Sequence, residues 1–233
     1  MVGMTDTMKF LPVLLSVIAG STDATSFLGL GLFSAHVTGN LIILTAHFVT
    51  GRADNSCLLL SVPIFVLVLG LTRLLVAGLE SRRINPLRPL LVLQFLMLGS
   101  ALVVWIASGC PSAPGVRGII IAGQLSVAAM AVQNGLANLS LHDSPTTAVM
   151  TTNLTRLVMD SVEVIVGRNP QEVAAARHRA RQTWPVVVGF IIGASLGAAC
   201  FGAAGLHSLG LPAGLALVTV IMRPAGTSTG GRT

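Results

Sequence analysis

The sequence predicts an all-α fold, a polytopic transmembrane helix bundle, on three observations. Of 233 residues, 53% are hydrophobic and 9% charged, whereas a soluble domain carries about 25% charged residues. Too few polar side chains are present to cover a globular surface. The mean hydropathy is +0.83, and several apolar runs approach about 20 residues, enough to cross a hydrocarbon core at 1.5 Å per residue. Short basic or Pro/Gly-containing turns separate those runs, so the membrane domain accounts for the whole chain, 1–233.

Taken in order, six segments read as full spans: 10–33, 58–79, 89–108, 118–139, 184–204 and about 206–222. The first begins like a signal peptide, with Lys9, an apolar stretch and "AGSTDA". Its apolar run resumes through Phe33, which makes it one long span. Two more helices are expected at 36–50 and 147–167. The first is short with a polar start, and the second carries Arg156, Asp160 and Glu163. Each such charge costs about 2.5 kcal/mol or more at bilayer centre, so both read as short or re-entrant helices buried in protein. The alternative is eight spans, four in each half. Of the connections, "ESRRINPLR" (80–88) carries an Asn-Pro turn signal. "GCPSAPGVR" (109–117) is a loop, "RNPQEVAAARHRARQ" (168–182) a basic surface helix, and 223–233 a disordered tail rich in Gly, Ser and Thr.

The net charge of +6 comes almost wholly from arginine. With six spans and a cytoplasmic N-terminus, eleven Lys and Arg lie inside and only Arg52 and Arg117 outside, with Arg73 in the membrane. With eight spans the count is nine against three. Both obey the positive-inside rule, and both put the two termini in the cytoplasm. One lysine and no aromatic interleaving give no nucleic-acid signature. Cys57, Cys110 and Cys200 are odd in number and far apart, which supports neither a disulfide framework nor a metal site. No cofactor or metal is expected.

The chain repeats itself. "AHVTGNL" (35–41) matches "AVMTTNL" (148–154) at Ala, Thr, Asn and Leu. Gly-Arg follows each motif, at 51–52 and 167–168, and Asp23-Ala24 before the first roughly matches Asn134-Gly135 before the second. Two halves, about 10–108 and 115–222, thus share the plan span, motif helix, span, span. Three spans per half require inverted halves, a recurrent transporter architecture; four per half would make them parallel.

The segment "AGSTDATSFLGLGLFSAHVTGNL", with the later "TTAVMTTNLTRL", resembles the YoaK family of bacterial membrane proteins. The resemblance covers nearly the whole chain and rests most on the Asp-Ala of span 1 and the Thr-Gly-Asn motif. It implies about six spans and a bacterial plasma-membrane location, and it supplies no function. The second motif has Thr152 where the first has Gly39.

Candidate functional residues are the polar ones in apolar surroundings. Asp23 is a carboxylate inside span 1, expensive unless paired, protonated or hydrated. It reads as a coupling site, or as a structural carboxylate capping a break near residues 20–22. Arg73 lies deep in span 2 and could pair with Asp23, Asp160 or Glu163, hold an anion, or snorkel. His36, Thr38, Gly39 and Asn40 open the first motif helix, where free N–H groups and a close backbone approach suit a polar solute. Asn134, Thr151 and Asn153 are their counterparts. Arg156 and Asp160 are spaced to pair on one face. Gly189, Gly193 and Gly197 form a double GxxxG for close helix packing, within the chain or as a homo-oligomer seam.

No catalytic motif is present, and His47, His142, His178 and His207 are scattered. The expected function is a small-solute transporter or channel, not an enzyme. Its partners are the lipid bilayer and a small molecule or ion, held between the two motif helices. A membrane scaffold using the basic 168–182 segment is the alternative, and a membrane-embedded enzyme a more distant one.

Overall fold

The computed structural model describes residues 3–51, 56–108, 116–140 and 150–222. The expectations for Cys110, His142 and the 223–233 tail fall outside them. The described residues form eight α-helices: α1 Gly3–Leu30, α2 Val37–Thr50, α3 Ser56–Ser81, α4 Leu87–Ala107, α5 Val116–Ser140, α6 Met150–Val166, α7 Pro170–Ala204 and α8 Gly210–Ile221. A 3-10 turn, Gly205–Leu209, joins the last two. Five stretches are long and apolar enough to cross a membrane: Phe10–Leu30, Ser56–Ser81, Leu87–Ala107, Arg117–Leu139 and Pro170–Ile221. The expected last span is the weakest, because α8 has 12 residues, about 18 Å of helix.

Helix ends obey local chemistry. α1 stops three residues before the expected Phe33, because Gly31 turns left-handed (φ +68°) and its N–H caps the Phe27 carbonyl. Gly51 ends α2 in the same conformation. Asn85 Oδ1 accepts from the Leu87 N–H at the start of α4. Asn169 caps α7, with Pro170 at its first turn. The basic 168–182 segment is not a separate surface helix. From Pro170 it is the leading part of α7, which runs unbroken for 35 residues, about 52 Å.

Packing fixes helix direction. α1 and α7 run parallel: Gly189 lies on Val13, Gly193 on Val17 and Gly197 on Ser21. A Cβ at Gly197 would sit 2.6 Å from the Ser21 carbonyl oxygen, so backbone meets backbone along the seam. The glycine stripe is therefore used within the chain. α3 and α5 are parallel too, with Gly123 and Gln124 against Cys57 at one end and Gly135 against Thr72 at the other. α1 and α5 run antiparallel: Gln133 reaches the Leu15 carbonyl, while Leu30 and Leu32 meet Gly123. α3 is accordingly antiparallel to α1, although α2 stands between them in sequence.

The core lies where α1, α4, α5 and α8 converge, around Leu15, Ile18, Leu90, Leu91, Leu98, Met130 and Leu136. A polar line crosses it. Gln94 donates to Gln133 Oε1 at 2.6 Å, and Gln133 donates to the Leu15 carbonyl at 2.9 Å, tying α4, α5 and α1 together. The outer face of α3 exposes Leu59, Leu67, Leu71 and Leu74, the surface expected of a helix against hydrocarbon.

Candidate functional site

The chain between α1 and α2 folds back on α1, and two side chains hold it there. Asp23 sits in α1, where the helix is continuous; the break it serves is residues 31–36, not residues 20–22. Its Oδ1 accepts from the Ser34 N–H at 2.8 Å, the Ala35 N–H at 2.6 Å and the Ser34 hydroxyl at 3.1 Å. Its Oδ2 faces His36 Nδ1 in a close hydrogen-bonded contact. Asn40, fully buried one turn into α2, accepts from the Phe33 N–H at 2.7 Å and donates to the Phe33 carbonyl at 2.8 Å and to Ser61 Oγ of α3 at 3.0 Å. Backbone groups released by the break would each cost several kcal/mol in an apolar medium. Asn40 satisfies both backbone groups of Phe33, and Asp23 the N–H groups of Ser34 and Ala35.

This return brings His36 to the α1–α7 seam. The ring is about one-third exposed and meets Phe190 of α7 edge-on, with centroids 5.4 Å apart. Phe27 and Phe33 stack at 4.6 Å beside it. Together they border a groove of about 580 Å³, lined by Asp23, His36, the three phenylalanines, Leu28 and the small residues of α1 and α7. Close α1–α7 packing through glycine and alanine leaves the space that the aromatic rings frame.

A family model described as "Protein of unknown function (DUF1275)" matches residues 11–222. The chain belongs to the DUF1275 family. That agrees with the resemblance to YoaK, itself of this family. With the apolar helices, membership makes it an integral membrane protein. No curated protein and no solved structure matches the chain.

In this DUF1275 chain the expected site residues divide. Asp23 and His36 come together, and Asn40 supports them from behind. Thr38 is exposed at the start of α2, and Gly39 packs on the Phe33 ring, which a Cβ there would approach to 3.1 Å. Arg73 lies elsewhere, exposed on the outer face of α3 among Leu71, Leu74 and Leu75, and makes no ion pair among the described residues. Asn134 is buried in α5, Asn153 is buried in α6, and Thr151 is exposed.

The motif helices do not enclose a common site: α2 packs chiefly on α3, and α6 on α7. Asp160 is not paired with Arg156 on its own helix. It takes Arg179 of α7, whose Nε and Nη2 lie 3.0 and 2.6 Å from Oδ1. Two hydrogen bonds from one guanidinium to one carboxylate oxygen clamp α7 to α6. Sequence reasoning missed Phe27, Phe33 and Phe190, which carry no signal in an apolar run. It also missed Gln94 and Gln133, which do carry one: each is an amide inside an apolar span.

Proposed function

We propose that this protein is a small-solute transporter of the bacterial plasma membrane, built from two inverted halves, with both termini cytoplasmic and no enzymatic activity. The observation that carries the reading is helix direction. α1 is antiparallel to α5, the first helix of the second half, and each pairs in parallel with the long third helix of the other half: α1 with α7, α5 with α3. Eight alternating full spans would make α1 and α5 parallel. Six spans with α2 and α6 as half-helices make them antiparallel. Inverted repeats with interrupted helices recur in transporters, with the solute site where backbone is unwound. The Asp23–His36 pair stands at such an unwound stretch and lines a groove, so the solute site lies on the α1–α7 seam.

Single cysteines at Thr50, Asn85 and Asn169, on a background lacking the native cysteines, test the topology. Six spans put Asn85 and Asn169 on one face of the membrane and Thr50 on the other. Labelling of Asn85 and Asn169 from opposite faces would discard the inverted plan. Flux of a solute panel into proteoliposomes, with His36→Gln as control, tests transport. Absence of gradient-driven flux for every solute would favour a non-transporting membrane protein.

A further inference from the structure

Asp23 is the obvious place for a cation, yet four donors already converge on it. A carboxylate offers about four lone-pair positions. The Ser34 N–H, the Ser34 hydroxyl and the Ala35 N–H crowd the two positions of Oδ1, and His36 takes one of the two on Oδ2. Since the carboxylate accepts, Nδ1 is the protonated nitrogen facing it. In neutral imidazole that leaves Nε2 as a bare acceptor on the far side of the ring. The groove that the ring lines is otherwise mostly apolar, walled by Phe27, Phe33, Phe190 and Leu28. Among the described residues lining it, Asp23 is the only other titratable group.

Resting on the reading of this groove as the solute site, we infer that it binds a carboxylic acid with an apolar body, and takes up its proton together with its anion. The acid transfers its proton to His36 Nε2. The carboxylate product remains hydrogen-bonded to the new Nε2–H, while Nδ1–H stays on Asp23. One proton and one anion enter together, and the apolar body lies against the three phenylalanines. Asp23 is the positioning residue and His36 the proton-carrying one. The acid comes either from solution or from the bilayer.

The test is binding to the full chain in nanodiscs of neutral phosphatidylcholine. Probes are benzoate for an acid from solution, decanoate for one from the bilayer, and benzylamine as the ring of opposite charge. Measurements at about pH 5.5 and about pH 9.5 lie to either side of the ordinary imidazole value, with room for the Asp23 carboxylate to hold the ring proton more tightly. Benzoate or decanoate is expected to bind at least about tenfold more tightly at the lower pH, a difference of about 1.4 kcal/mol. Whichever binds names the source. His36→Gln should remove both the affinity and its pH dependence. Ala198→Phe, which fills the groove from an exposed α7 position without touching the Asp23–His36 contact, should remove binding in a protein of unchanged melting temperature. Tighter binding of benzylamine, pH-independent acid binding, or wild-type acid binding in both variants overturns the inference. Acid binding in nanodiscs without flux in proteoliposomes would uphold this site and sink the transport reading alone.

Discussion

Asn40 closes a two-way hydrogen-bonded bridge on Phe33, accepting from its N–H at 2.7 Å and donating to its carbonyl at 2.8 Å. The side-chain amide thus mimics a strand partner for one residue of broken helix. Its third bond, to Ser61, ties the bridge to α3. Asn40→Ala would leave buried donors and acceptors open, at roughly 2–4 kcal/mol in total. Asn40→Asp should fare little better, because a carboxylate accepts from the Phe33 N–H but cannot donate to its carbonyl. Thermal melting in detergent reads both, and a melting point unchanged in either variant would refute the bridge.

Asp23 has an equivalent role for Ser34 and Ala35. Asp23→Ala strips four donors of their acceptor, at about 1–3 kcal/mol for each buried group left unsatisfied. Asp23→Asn keeps an acceptor oxygen and should lose much less. Amide exchange at residues 33–36 is expected to rise steeply in the alanine variant. Equal protection in both variants would mean that the carboxylate does not hold the loop.

The α1–α7 seam predicts a gradient among glycine substitutions. Gly193→Ala and Gly197→Ala push a methyl into the α1 backbone, and overpacking of that kind costs about 1–3 kcal/mol. Gly70 and Gly214 have open space where a Cβ would go, so Gly70→Ala and Gly214→Ala should be neutral or slightly stabilising. Unfolding midpoints of the four variants decide it; indistinguishable midpoints would count against the parallel seam.

The Gln94–Gln133 line predicts non-additivity. Gln133→Leu alone leaves the buried Gln94 amide without its acceptor. Gln94→Leu with Gln133→Leu removes the polar pair together, and replacing both members is far cheaper than orphaning one. The double variant should be more stable than the sum of the two singles requires. Simple additivity in a double-mutant cycle would show that the two amides are not coupled.

The α6–α7 hairpin should loosen without its clamp. Arg179→Gln abandons a nearly buried Asp160 carboxylate. Hydrogen exchange along α6 is expected to accelerate, with α1, α4 and α5 unchanged. Arg156→Gln, by contrast, should leave α6 protection as it is.

The sequence alone determined the class. Low charge and long apolar runs leave the bilayer as the only solvent that suits this chain. They located most of the long helices, because crossing hydrocarbon demands length and apolarity that can be counted residue by residue. The polar residues of "SAHVTGNLI" and Asp23 marked a place where the backbone leaves the helix, since buried polar groups in an apolar medium need partners.

Partnership was decided only in three dimensions. Nothing local distinguishes Asp23 binding its own loop from Asp23 binding Arg73, or Asp160 choosing Arg179 over Arg156. These choices depend on which helix faces which, and helices pack by shape through Gly189, Gly193 and Gly197 against α1. The double GxxxG announced close packing but not its partner. Tertiary structure moved the candidate site from between the motif helices to the α1–α7 seam, because α2 and α6 each turn back onto the helix that follows them.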